Sequence, residues 1–171
     1  MWIAGDDASR PSAAARGEQR REPGHEGCPP RHHRARRLRV ALLRMEISRA
    51  HFDEVIAHAQ ADAPHECCGF MSLNGDRVNE VFRAENIKHS AYGYEFGFKD
   101  LVRANELEDE GFAVACYHSH PRSPAEPSQT DINLAHYPNW LYIIVSLAGE
   151  PEMRAWRIVD KRVEEEPVTV A

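Results

Sequence analysis

The string Tyr117-His118-Ser119-His120-Pro121, followed after six residues by Ser128-Gln129-Thr130-Asp131, gathers side chains suited to holding a metal ion. His118 and His120 end an apolar run, Phe112–Tyr117, that reads as a buried strand. Residues two apart on a strand share a face with Cα atoms about 6.7 Å apart. Both imidazoles can therefore converge on one ion, each about 2.0–2.1 Å from it. Asp131 falls in the first turn of a short helix starting near Ser128, and the Pro-rich loop between can fold it back toward the strand end. Two His and one carboxylate give three protein ligands and leave a fourth position for water, the arrangement of catalytic rather than structural zinc. Each piece alone has an ordinary reading. A His-x-His pair commonly sits on a surface or in a core, and Ser128-x-x-Asp131 is also a helix start, with a capping Ser and an acidic residue at the positive end of the dipole. The conjunction of all these positions is what points to a metal.

The elements that must position these residues begin at Met45. Ser48 reads as an N-cap, followed at helical spacing by Phe52, Val55, Ile56 and Ala59, with Pro64 closing the segment. Cys67–Leu73 and Val78–Ala84 flank Asn74-Gly75, a strong hairpin signal. A loop over 85–93, a short strand near Tyr94–Phe98 and a polar helix from Asp100 to Glu110, ended by Gly111, come next. Trp140–Leu147 suits a central strand, and Glu152–Val159 and Arg162–Val170 alternate as strands with one wet face do. The pattern predicts an α/β domain, a mixed β-sheet with helices packed on it.

Charge divides the chain of 171 residues in two. Residues 1–44 hold ten Arg against five Asp or Glu, with four Pro and four Gly and no helical or strand period. Such a segment buries too little apolar surface to offset its ordering entropy, so a disordered basic tail is expected there. Residues 45–171 carry 11 basic and 22 acidic groups, and form a domain large enough for one core. A net charge of −11 opposes contact with nucleic acid. No apolar stretch approaches the roughly twenty residues that span a bilayer, and Asp6 and Asp7 break any secretory leader. The cysteines, Cys28, the adjacent Cys67 and Cys68, and Cys116, form no C-x-x-C pair. Nothing in them demands an oxidising compartment, so a cytoplasmic location is expected. Cys116 shares the strand face of His118 by alternation and reads as a small core residue. Glu164–Glu166 reads as a solvated charge run.

The metal-binding string resembles the JAMM (MPN-plus) metalloprotease motif at every motif position, and the resemblance covers residues 45–171. It implies an MPN (JAB) domain, with an architecture like that of cytidine deaminases, holding one Zn2+ per chain through His118, His120 and Asp131. The family also has a Glu at the start of its first sheet strand, after the first helix. The matching residue is Glu66, in Glu66-Cys67-Cys68-Gly69, which is similar to the Glu-x-Cys-Gly of the small stand-alone bacterial members. Carried over, Glu66 is the catalytic proton shuttle between water and leaving amine. Ser128 is the donor to the oxyanion, and zinc lowers the pKa of the water to about 7. The resemblance implies a partner, a small ubiquitin-like sulfur-carrier protein with a glycine-rich C-terminal tail, from which cysteine is released, and it admits a homodimer. Asn86 and Ser90 fall in a loop that in relatives lies near the substrate tail.

Competing readings are a non-catalytic scaffold on the same fold, whose members usually lack the ligands present here, and an isopeptidase of the same family acting on another protein. A zinc deaminase would need His-x-Glu with Pro-Cys-x-x-Cys, and neither occurs. The family's RadC-like branch is opposed by the acidic domain and by His-Ser-His-Pro-Arg-Ser in place of that group's His-Asn-His-Pro-Ser-Gly.

Overall fold

The structure is a computed structural model that describes residues 44–171. The expectation of a disordered tail over 1–44 therefore lies, but for Arg44, outside the described residues.

Along the chain run β1 (Met45–Ile47), α1 (Arg49–Asp62), β2 (Cys68–Asn74), β3 (Arg77–Ala84), α2 (Phe98–Asp109), β4 (Ala113–His120), α3 (Gln129–Leu134), β5 (Leu141–Ser146), β6 (Glu152–Val159), β7 (Arg162–Glu166) and β8 (Val168–Val170). The strands form one sheet in the order β7-β6-β5-β4-β2-β3-β1-β8. β2 is antiparallel to both β3 and β4, whereas β4 and β5 run parallel, so the sheet is mixed as the pattern predicts.

Strand alternation sorts the interior into two layers. Met71, Ala115, Tyr117, Ile143 and Val145 face α1 and pack with its Val55 and Ala59. Phe70, Val114, Cys116, Tyr142 and Ile144 face the other way and pack with Ala104 and Leu107 of α2. His118 and His120 continue the second set along β4. The helix with the acidic ligand candidate, α3, lies on that side too, with Ile132 and Ala135 packed at its margin.

Local signals account for most boundaries. The Ser48 Oγ accepts from the His51 N–H at 3.2 Å and starts α1. Gly75, at φ 67, makes the turn between β2 and β3, where a side chain would be strained. Ser128 and Asp131 form a reciprocal capping box at the start of α3.

Three expectations need correction, and one strand had no expectation at all. Tyr94–Phe98 is no strand. Phe98 opens α2, and only the bridges Asn86 to Phe96 and Ser90 to Gly93 remain. The Asn86 side chain bonds the backbone of Lys88, Gly93 and Glu95, offering those groups an alternative to a ladder. Arg162–Val170 is two strands, because Pro167 has no N–H to continue the pairing. With one residue between them, β7 and β8 sit at opposite ends of the strand order, so the sheet curls until its edges meet at Pro167. Glu166 is not solvated. It is 3% exposed and accepts from Arg157 Nε at 2.8 Å. Finally, β1 is an unanticipated strand, with Met45 and Ile47 fully buried between β3 and β8.

Candidate metal centre

β4 delivers both histidines to one side of the sheet, at the end nearest α3. His118 is 1% exposed, and His120 is also buried. Their Nε2 atoms stand 3.1 Å apart. Asp131 places Oδ1 at 3.3 Å from His118 Nε2 and Oδ2 at 3.4 Å from His120 Nε2. The loop that brings Asp131 back is pinned on three sides. The His120 Nδ1–H donates to Pro124 O at 2.9 Å, the Trp156 indole donates to Ala125 O at 2.9 Å, and the Ser146 hydroxyl donates to Ser123 O at 2.7 Å. Ser128 N–H donates to Asp131 Oδ2 at 2.7 Å, which fixes the carboxylate itself.

This donor set fits a tetrahedral cation. Metal–ligand bonds of about 2.05 Å put neighbouring ligand atoms about 3.3 Å apart, and the three observed separations bracket that value. The tautomer fits as well. With Nδ1 of His120 donating to Pro124 O, its Nε2 keeps the lone pair that ligation requires. Burial holds His118 below its usual pKa, and so neutral, against the pull of Asp131. His120 is pushed up, because Asp131 and the Pro124 carbonyl outweigh the effect of burial. Burial alone would raise the Asp131 carboxyl, but the two imidazoles beside it and the bond from Ser128 N–H hold it well below the usual carboxylate range.

Glu66 stands two residues before β2 and is 6% exposed. Burial pushes its carboxyl up to about 7, with His120 and Lys88 opposing and Asp131 adding to the rise. Its Oε2 is buried without a partner among the described residues. A carboxyl poised near neutrality with a free oxygen suits a group that must take and return a proton. The backbone of Glu66 is held at both ends, its N–H by Ser90 O at 2.9 Å and its carbonyl by Asn86 Nδ2 at 2.9 Å. Ser128 is exposed, and its Oγ accepts from the Asp131 N–H at 3.2 Å, which leaves the hydroxyl proton free to donate.

All five residues singled out in the sequence thus lie at one end of the sheet. Others at this end carry no sequence signal, because their contacts are long-range. Ser119, between the histidines, points to the opposite face, where its Oγ accepts from Cys67 N–H at 2.9 Å and ties the base of Glu66 to β4. Tyr94 stacks on the His118 ring, with centroids 4.4 Å apart. Tyr94, Asp131, Cys116, Leu134 and Trp140 also wall a cavity of about 390 Å³ beside the histidines. The thiols of Cys67 and Cys116 are pushed up by burial to about 11 and about 12, which leaves them protonated and poor nucleophiles. His58 is not part of this end; it bonds Tyr117 Oη at 2.8 Å under α1.

Known proteins agree with this architecture. A family model described as prokaryotic homologs of the JAB domain matches residues 48–159. The chain is 36% identical over 138 residues to the CysO-cysteine peptidase of Mycobacterium tuberculosis, a match spanning 77% of this chain and 91% of that protein. It is 32% identical over 114 residues to the desampylase of Haloferax volcanii, across 61% of this chain and 81% of that protein. A solved Desulfitobacterium hafniense protein superposes with a TM-score of 0.63 at 28% identity, covering 74% of this chain and 92% of that one. A JAB1/MPN domain protein from Archaeoglobus fulgidus gives 0.52 at 22% identity, over 75% and 98%. The chain belongs to the JAMM/MPN family, in its prokaryotic JAB branch, and is a hydrolase of the metalloprotease type.

Proposed function

We propose that this protein is a zinc peptidase that hydrolyses the amide bond at the C-terminus of a ubiquitin-like sulfur-carrier protein, releasing cysteine from a glycine-rich tail. The carrying observation is the convergence of three ligand atoms 3.1–3.4 Å apart beside a buried carboxyl that titrates near 7. Substrate class rests on the relatives. The Mycobacterium tuberculosis protein is named for a CysO-cysteine substrate, and a Thermus thermophilus relative, 32% identical over 117 residues, is described as a probable TtuB-protein conjugate cleaving protease.

His118, His120 and Asp131 would hold the ion. When bound, Zn2+ supplies Lewis acidity, which brings the pKa of water to about 7 and polarises a carbonyl. Glu66 accepts the proton of the attacking water at its free Oε2 and returns it to the amine that leaves. The backbone bonds to Ser90 and Asn86 keep that carboxyl from swinging away between the two steps. Ser128 donates its hydroxyl proton to the oxyanion that develops at the scissile carbonyl. The Asp131 N–H at its lone pair orients the hydroxyl for this.

The test is intact-mass analysis of a carrier bearing a C-terminal cysteine after incubation with zinc-loaded protein. Loss of one cysteine residue is expected. Glu66→Gln should keep full zinc content and lose hydrolysis, whereas His118→Ala should lose both. Full activity of Glu66→Gln at normal zinc content would overturn the mechanism. Intact carrier alongside cleavage of a different tail would reassign the substrate.

A further inference from the structure

The three ligand candidates are not held alike. Asp131 receives a hydrogen bond from Ser128 N–H, and His120 gives one from Nδ1 to Pro124 O. His118 has no such bond. Its Nδ1 is buried and has no hydrogen-bond partner among the described residues, although metal-binding imidazoles almost always donate their second N–H to an oxygen that fixes the ring. Rotation about χ2 is a soft, broad torsion, so some other contact must set the plane of this ring. Two ring contacts are present: His120, edge-on at 4.9 Å, and, stacked on the face, Tyr94. Its ring lies 4.4 Å from the His118 ring, centroid to centroid, at an interplanar angle of 22°.

We propose that Tyr94 is a positioning residue of the metal centre, its ring orienting the His118 imidazole by stacking where no hydrogen bond does so. The proposal rests on the reading of His118 as a metal ligand.

The surrounding structure supports a fixed platform. Gly93 and Glu95, the neighbours of Tyr94, are both tied to one side chain. Asn86 Nδ2 donates to Gly93 O at 3.2 Å, and Asn86 Oδ1 accepts from Glu95 N–H at 3.1 Å. Ile87 N–H donates to Glu95 O at 3.1 Å, which closes the loop on itself. Phe96 meets the Tyr94 ring edge-on at 5.4 Å and packs in turn on Phe70 of β2. Every hydrogen-bonding group of the Asn86 amide is in use, the remaining ones on Glu66 O and Lys88 N–H. One asparagine thus fixes both the platform under His118 and the backbone of Glu66. The stack also has the right electrostatics. An imidazole that shares its lone pair with a cation becomes electron-poor, and the face of a tyrosine ring is electron-rich.

The ring, and not the hydroxyl, is the working part in this account, which sets the experiment. Tyr94→Phe, Tyr94→Leu and Tyr94→Met are compared with the parent chain. The readouts are Zn2+ dissociation constants from competition with a chromophoric chelator and the visible spectrum of the Co2+-substituted proteins. Tyr94→Phe should bind Zn2+ within about twofold of the parent and keep its Co2+ spectrum. Tyr94→Leu should bind about 10- to 100-fold more weakly, the usual cost of losing an outer-shell partner, with altered Co2+ bands. Thermal unfolding of the metal-free proteins separates lost folding from lost ligation. Tyr94→Met, closer to tyrosine in length, serves if the leucine variant does not fold.

Undiminished Zn2+ affinity and an unchanged Co2+ spectrum in a folded non-aromatic variant would overturn the proposal. A Tyr94→Phe variant as weak as Tyr94→Leu would also overturn it, by assigning the effect to the hydroxyl beside Cys116. Retention of stoichiometric zinc by His118→Ala would instead remove the metal-ligand reading itself, a failure distinct from the other two.

Discussion

Three consecutive residues of β4 do two different things, and only one of them is visible in a string of letters. His118 and His120 share a face because strand side chains alternate, so their convergence follows from spacing alone. Asp131 follows from the capping signal that starts α3. Ser119 lies between them on the other face, fully buried, and accepts from the Cys67 N–H. Ser119→Ala leaves that buried N–H without a partner, a cost of about 1–3 kcal/mol. Because the bond anchors the residue next to Glu66, the variant should also lose turnover while keeping zinc, measured by denaturant unfolding, metal content and activity side by side. Glu66 was legible through family resemblance and not through spacing, since one acidic residue before a strand is ordinarily solvated. Tyr94 left no signal, and Asn86 only its place in a loop near the substrate tail of relatives, because their partners lie 24 and 20 positions away in the chain, across a loop with no period. Proton competition belongs to this scale as well. Asp131 and Pro124 O raise His120, so protons contend with metal there first as pH falls. Zn2+ affinity should be full above the histidine range and drop through it, read as a chelator-competition titration across pH.

Among elements, the segments with a clean period were legible, and those whose geometry depends on a distant neighbour were not. α1, the hairpin of β2 and β3, and α2 match their signals because capping residues, a turn glycine and the apolar stripe are local. The expected strand at Tyr94–Phe98 failed because a side chain, Asn86, took the backbone groups that a ladder would have used. Gly69 shows the same dependence on tertiary contact. A Cβ there would clash with Phe82 O of β3 and with the ring of Tyr117, which packs directly over the bare backbone of β2. Gly69→Ala should destabilise by about 1–3 kcal/mol or more through overpacking, seen as a lower denaturant midpoint.

α1 contributes a pH dependence through His58, which sits between Tyr117 Oη and Asp62. Burial lowers its pKa in the folded state despite Asp62, so the unfolded chain binds the proton more readily. The stabilisation is complete above the unfolded value of about 6.5 and declines as pH falls below it. Unfolding midpoints should therefore fall more between pH 7 and 5 for the parent chain than for His58→Gln.

At the scale of the molecule, charge separates a basic stretch, residues 1–44, from an acidic domain that holds every residue assigned a chemical role. The simplest consequence is that residues 1–44 are dispensable for metal binding and hydrolysis. The structure changes where the cut belongs. Met45 is the first residue of β1, fully buried, and its N–H donates to Pro167 O at 2.9 Å, at the point where the curled sheet brings its two edges together. A chain beginning at Met45 would put a charged α-ammonium group at that seam. Taking a charge out of water costs several kcal/mol unless it is paired, and one carbonyl is not a counter-ion. A chain beginning three or four residues earlier keeps an ordinary amide at Met45 and takes the charge off that nitrogen. Both shortened chains should bind zinc at one equivalent and hydrolyse the carrier, because His118, His120, Asp131 and Glu66 lie away from β1. The chain starting at Met45 should unfold at lower temperature, and its deficit should shrink as pH rises past about 8 and the α-amino group loses its proton. Equal stability of the two at neutral pH would show that the seam opens to water. Loss of hydrolysis in both, with zinc retained, would instead make residues 1–44 part of how the carrier protein is held.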